Sequence, residues 1–343
     1  MPAQRPTLSV LDGGVMTARD TSGDALRATT EVARFADRRG FLRYWVTEHH
    51  NMATVASTTP PVLMAHLAAN TERIRVGSGG IMLPNHPPLV VAEQIATLEA
   101  LHPGRIDVGI GRAPGTDGAT AAALRRSPDP LGPDDFPRDL LELMGLLGDV
   151  RIEQGLHQHF RATPVATSTP QFLLLGSSGY SAQLAGLLGL PFAFAHHFDT
   201  GGTRQALDLY REAFRPSAGL DEPYAILTVN VLVAESDEEA DFQIRPSQLM
   251  MLGMRSGRFE RMLSPDEAAA HPQAGMARNQ PSNRIVGSPA TAVAALDALV
   301  DEMDAQELMV GAPAYGIEAR IRSLGLLADA WGLPHPEAPP SAN

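Results

Sequence analysis

The chain has 343 residues, a formal net charge of −12 and no cysteine. That length suits one large barrel or two modest domains, and a folded chain of this size buries roughly 75% of its unfolded surface without staples. The missing cysteine excludes disulfides, thiolate metal sites, iron-sulfur clusters and a cysteine nucleophile, while acidic charge spread along the chain argues against a nucleic-acid footprint.

In chain order, LSVLD at residues 8–12 reads as a strand, and residues 24–39 carry Leu26, Thr30, Ala33 and Ala36 at helical spacing until Gly40 stops the helix. RYWVT at 43–47 is the second strand, followed by a helix over 58–70. RIRVGSGG at 73–80 is the third, followed by a helix over 89–101, a strand RIDVGI at 105–110 and a helix over 138–147. QFLLL at 171–175, PFAFA at 191–195, YAILTVNVLVA at 224–234 and ELMV at 307–310 complete eight strands, each but the last leading to the next through a helix. Helical crossovers imply parallel pairing, and eight such units in this length point to the α/β class and a (β/α)8 TIM barrel with insertions. An open doubly wound sheet is the competitor, but GIGRAPG at 109–115 does not fit the dinucleotide fingerprint G-x-G-x-x-G.

One domain is expected over residues 1–335, with a disordered tail at 336–343. Three stretches fall outside the repeat: 114–137, 151–170 (a small hairpin or loop) and 245–284, which is a candidate lid. No stretch approaches a membrane span, and the N-terminal MPAQRPTLSVLDGG has no long apolar core behind basic residues. A soluble cytoplasmic protein without membrane or nucleic-acid partners is expected.

In a barrel, functional groups collect at the carboxyl ends of the strands. YWVTEHHN at 44–51 ends there in Glu48, His49 and His50. Successive strand residues face opposite sides, so His49 and His50 do not easily share one metal ion, and no metal is expected. A strand-end histidine is often only structural, but a neighbouring carboxylate can orient or charge it. Alternation alone leaves open which histidine faces the lumen. Ser78, Gly79 and Gly80 either form a tight bend or let something planar approach the backbone. After LLLG, Ser177, Ser178, Gly179 and Tyr180 open a helix whose free amides suit an anion, unless Ser178 merely caps it. His86, before two prolines, reads as loop structure. The methionines between Met250 and Met262 serve either a lid or ordinary packing.

Together, EHHN, RVGSGGIMLPNHPPLVVAEQIATLEALHPGRIDVGIGRAPG and LLGSSGYSAQLAGLLGLPFAFAHHF resemble the bacterial luciferase-like monooxygenase family, with likeness running from LSVLDGG to ELMVGAPAYGIEARIRSLGLLADAWG. The resemblance implies a barrel that binds reduced FMN, supplied by a separate NAD(P)H-dependent flavin reductase. Dioxygen would form a flavin 4a-hydroperoxide there and deliver one oxygen atom to a small molecule. It places His49 as the active-site base, supported by Glu48, and a non-proline cis peptide at Ser78 and Gly79 under the flavin ring. Ser177, Ser178, Gly179 and Tyr180 match the phosphate-binding turn, with Gly176, Gly80 and Arg112 also on the cofactor. His196 and His197, ending the next strand, are candidate substrate contacts. A homodimer is the family expectation.

The luminescent enzyme has a cysteine in the strand before this arginine, where the chain reads GIGR, so a non-luminescent monooxygenase is expected. Its substrate is expected to be hydrophobic or aromatic, and the Ala-, Arg- and Pro-rich composition hints at specialised metabolism. The alternatives are hydride transfer with the deazaflavin coenzyme, or flavin binding without turnover.

Overall fold

Strand parity sorts this chain into two hydrophobic layers. The computed structural model describes residues 5–125, 135–149, 151–152, 154–198 and 201–334, so the expected disordered tail at 336–343 lies outside the described residues. Ten strands lie within them: β1 (Thr7–Asp12), β2 (Arg43–Val46), β3 (Arg75–Ser78), β4 (Ile81–Met82), β5 (Ile106–Gly111), β6 (Gln171–Gly176), β7 (Phe192–Phe194), β8 (Ala225–Val233), β9 (Ile285–Gly287) and β10 (Glu307–Gly311). All eight strands expected from the sequence are present. β1, β2, β3, β5, β6, β7, β8 and β10 pair in parallel in that order, and β10 bonds to both β8 and β1. The sheet therefore closes, and the chain is a single-domain eight-stranded parallel barrel with helices between its strands. β4 and β9 were not expected, because two or three residues are too few to display a period; they extend β5 and β8 at the mouth.

On alternate positions, Leu8, Val10, Tyr44, Val46, Ile106 and Val108 face outward into the main core beneath the helices. Trp45, Leu173, Ala193, Ile226 and Met309 face inward and form a separate cluster in the lumen. Trp45 fits there because β3 offers Gly77: a Cβ at that position would stand 2.7 Å from the indole. The lumen floor is ionic. Arg43 donates to Asp107 (2.9 Å), Glu307 (3.1 Å) and Gln171 (2.9 Å), while Trp45 donates to Asp107 (3.0 Å) and Ser9 to Glu307 (2.5 Å). Breaking such a buried pair from one side costs about 3–5 kcal/mol, because the remaining charge has no partner.

Local signals fix the helix ends. The first helix, Ser22–Arg38, opens on a capping box between Thr21 and Asp24, and Gly40 leaves its end at φ +74°. The 245–284 insertion is helical, with Arg245–Arg255, Pro265–Ala270 and Ala274–Arg278. Among the described residues the 151–170 insertion is a loop with one 3-10 turn, Leu156–Gln158, and no strand pair, and the described part of 114–137 includes the helix Gly118–Arg125.

Candidate active site

Parity carries over from β2 into the loop that follows it. Because Trp45 occupies the lumen, Thr47 and His49 share its side and both line a cavity of about 460 Å³ at the barrel mouth. Glu48 and His50 take the opposite side. His49 Nδ1 lies 3.3 Å from the Gly115 carbonyl, which can only accept. The proton therefore sits on Nδ1 and Nε2 keeps its lone pair. Burial pushes the imidazole below its usual range, against the bond to Gly115 and the charge of Glu48. His49 is thus a neutral histidine with one basic nitrogen. Its amide donates to Ser57 (3.2 Å), whose hydroxyl returns a bond to Thr47 (2.6 Å), so the backbone here is fixed.

Glu48 does more than add its charge beside His49. Instead of contacting His49, its buried carboxylate accepts from His50 (2.8 Å), His86 (2.8 Å), Asn85 (3.1 Å) and the Met82 amide (3.0 Å). Burial pushes its pKa up, but His86, His50 and Met82 outweigh that and hold it below the ordinary carboxylate range. The side chain ties the β2 loop to the segment after β3. Ligand atoms of Glu48, His50 and His86 lie within 4.8 Å of one another, and His49 stands outside that group. Hydrogen bonds to Glu48 already occupy both ring nitrogens concerned, which makes the trio a clamp on the rim. The loop histidine His86, which the sequence reading set aside, is part of it.

The small residues after β3 form a floor of bare backbone. The cis peptide joins Gly79 to Gly80, one bond later than the resemblance placed it. Ser78 is buried and faces away, its hydroxyl donating to Gly109 (2.9 Å) and accepting from the Gly109 amide (3.1 Å). A Cβ on Gly80 would stand 2.7 Å from the Gly109 carbonyl, and one on Gly79 would stand 2.5 Å from Leu11, which lines the cavity. Only glycine gives this surface.

Further round the rim, the helix Gly179–Leu187 begins without a side-chain cap, so Ser178 is left exposed and does not close it off. Ser177 is exposed too. The Arg112 guanidinium lies 4.4 Å from the Tyr180 ring centre, joining the end of β5 to the turn after β6, and makes no ion pair among the described residues. Unspent amides, two hydroxyls and a cation therefore meet at one place. None of these residues, nor Ser78 to Gly80, lines the cavity that holds His49.

The two histidines after β7 divide. His197 lines the cavity, with Nδ1 3.2 Å from the Thr228 carbonyl. Burial pushes its pKa down to about 4. His196 does not line it; its Nδ1 is bonded to Thr203 (2.7 Å) and its carbonyl accepts from Asn283 (3.0 Å). Both sit in the 3-10 turn His196–Phe198 that follows β7, with His197 on the cavity and His196 outside its lining. Above the cavity, Met250, Met251 and Met254 of Arg245–Arg255 and the buried Met262 form an apolar wall. Met262 is latched to the loop after β1 through backbone bonds with Met16 (3.0 Å) and Ala18 (2.8 Å). Sequence reasoning missed the polar wall opposite, where Arg320 meets Asp12 at 2.6 Å and Tyr44 donates to Asp12 at 2.5 Å. Its members are scattered between residues 12 and 320, so no local motif marks them.

Comparison with known proteins places this arrangement. A luciferase-like monooxygenase of Escherichia coli K12 is 42% identical over 327 residues, covering 94% of this chain and 96% of that protein. The N-acetyl-S-alkylcysteine monooxygenase of Bacillus subtilis is 35% identical over 268 residues, covering 77% and 78%. The crystal structure of apo-MsnO8 superposes with a TM-score of 0.88 at 36% identity, covering 96% of this chain and 100% of that one. More distant structures share the fold: the oxygenating constituent of a Pseudomonas putida 3,6-diketocamphane monooxygenase in complex with FMN (18% identity, TM-score 0.71, covering 97% and 100%), and an F420-dependent secondary alcohol dehydrogenase (15%, 0.65, covering 95% and 99%). With the family model for luciferase-like monooxygenases matching residues 7–324, the chain belongs to the luciferase-like monooxygenase family.

Proposed function

We propose that the protein takes reduced FMN from a separate NAD(P)H-dependent flavin reductase and inserts one atom of dioxygen into a largely apolar small molecule. The observation that carries this reading is His49: a neutral imidazole with a free Nε2, held in an apolar cavity at the barrel mouth, beside a surface that only backbone forms.

The residues present fit FMN. Ser177, Ser178, the first amides of Gly179–Leu187 and Arg112 offer donors to a phosphate, and a helix of this length adds its dipole. Gly79 and Gly80 present a flat face on which a Cβ would collide with its surroundings. Reduced FMN, when bound, supplies the two electrons with which dioxygen is split, one atom going to the substrate and the other leaving as water. The chain's part is to position, to exclude water and to move protons. His49 Nε2 accepts or returns a proton at the reacting centre, the Gly115 carbonyl keeps it in the productive tautomer, and Glu48 acts at one remove as a positioning residue. The methionine wall keeps the chamber dry.

The experiment compares FMN with riboflavin. Fluorescence titration of the wild type should show FMN bound more tightly, and S177A/S178A should weaken FMN about tenfold or more with riboflavin unchanged, as expected for losing at least one hydrogen bond to a charged group, worth about 1.5–3 kcal/mol net. Equal affinity for the two flavins, or tight binding of the deazaflavin coenzyme alone, overturns the FMN assignment. Failure of the reduced complex to transfer an atom of labelled dioxygen to any apolar compound overturns the oxygenase assignment and leaves a flavin-binding protein.

A further inference from the structure

Asn230 stands out on β8. The strand reads AILTVNVLV, and asparagine is a residue that strands otherwise disfavour. Alternation from Ile226, which fills the lumen, puts Thr228 and Asn230 on the inner side. On the neighbouring strand β10, Gly311 pairs with Asn230, and a Cβ there would lie 2.6 Å from Asn230 Oδ1. β10 thus goes without a side chain where the amide needs room. The amide itself is unengaged. Asn230 lines the cavity at the mouth and is partly exposed, its polar atoms are not sealed from solvent, and among the described residues they have no hydrogen-bond partner.

His197, which lines the same cavity, is tied to the same stretch of strand. Its Nδ1 donates to the carbonyl of Thr228 (3.2 Å), two residues from Asn230 and so about 6–7 Å along β8. Nε2 therefore keeps its lone pair, and among the described residues no group donates to it. Burial holds the ring neutral, with a pKa of about 4, so this nitrogen accepts a hydrogen bond and gives none. The cations that line the cavity are already matched, Arg320 by Asp12 and Arg27 by Asp24. A carboxylate would find no free counter-charge there, and an ether or a ketone has no proton to give to His197. A hydroxyl does both from one atom: its proton goes to His197 Nε2 and its oxygen accepts from the Asn230 amide.

We propose that Asn230 and His197 together bind a hydroxyl group on an otherwise apolar, uncharged substrate and so set the specificity of the enzyme. This rests on the reading of the methionine-walled cavity as the substrate site, and narrows the substrate to a phenol or an apolar alcohol. The hydroxyl lies on the β7 and β8 side of the cavity and the apolar body against Met250, Met251 and Met254. His49 stays available for proton transfer.

The test is a binding measurement that needs no turnover. Isothermal titration of the full-length protein at pH 7.5 compares 4-propylphenol with its methyl ether, 4-propylanisole, and 4-propylcyclohexanol with its own methyl ether. In at least one pair the hydroxyl compound should bind the wild type about fivefold or more tightly than the ether. A preference in the phenol pair alone marks the substrate as a phenol, and one in the cyclohexanol pair marks it as an alcohol. H197F should bring the preferring pair within about twofold, and N230A should weaken the hydroxyl compound about threefold or more. FMN affinity of N230A, read by fluorescence, should match the wild type. Equal binding within both pairs overturns the proposal, as does a preference that survives in H197F or a hydroxyl affinity unchanged in N230A. Loss of FMN affinity in N230A assigns the amide to the flavin and overturns it too. Where a variant does not fold, by circular dichroism, H197L or N230S is read by the same criteria. If the hydroxyl preference holds while no substrate is ever oxygenated, the oxygenase reading fails and this one stands; transfer of labelled oxygen to the ethers as readily as to the hydroxyl compounds sinks this one alone.

Discussion

His49 and Glu48 are adjacent in sequence and do different work, and each makes its own prediction. H49A should slow turnover about 100- to 10,000-fold while FMN affinity, read by fluorescence, stays within a factor of two; loss of flavin binding would make the residue structural instead. The two cavity histidines also set a pH limit on stability. Both are neutral in the folded chain because burial lowers their pKa, His197 to about 4 from 6.5. The unfolded chain takes up those protons first, so stability is complete above about pH 6.5 and is lost as pH falls toward about 4. The slope from His197 approaches 1.4 kcal/mol per pH unit in that window. Urea melts at pH 7, 6, 5 and 4.5 should show this loss, and H197N should flatten it; an unchanged slope would show that His197 is not buried neutral.

At the scale of elements, the approach of β3 to β5 is the tightest constraint near the site. A Cβ on Gly109 would stand 2.0 Å from the Ser78 carbonyl, against backbone that cannot swing aside. G109A should therefore cost about 1–3 kcal/mol or more in urea melts, and an unchanged midpoint would mean the strands can part freely. The same contrast explains what could be read in advance. Strands such as QFLLL and helices such as Ser22–Arg38 were legible because burial imposes a period and caps mark the ends. The choice between His49 and His50 was not, since parity needs a reference residue; Trp45 supplies one only once Gly77 is seen to admit it. The cis bond was displaced by one residue for a related reason: three small residues in a row carry no internal mark of register. Glu48's reach to Asn85 and His86 depends on loops that meet only in three dimensions.

For the whole molecule, the helices Pro60–Ala69 and Pro88–Leu101 pack side by side and turn Val62, Val90 and Leu101 outward, with exposures of 67%, 46% and 64%. These exposed apolar residues on two neighbouring helices are the face on which we propose that the homodimer expected from the family resemblance forms. V62D/V90D should therefore elute as a folded monomer in light-scattering chromatography, whereas a wild type that is already monomeric removes the proposal. The closed ring also removes free sheet edges, since β10 bonds to both β8 and β1. Most consequential is the ionic floor of Arg43, Asp107 and Glu307, which blocks the lumen beneath Trp45. The reaction chamber is a cul-de-sac. Among the described residues that floor closes the lower end of the lumen, so in the proposed reaction cofactor, gas, substrate and product would all pass the barrel mouth, and whatever entered last would stand in the way of what must leave first.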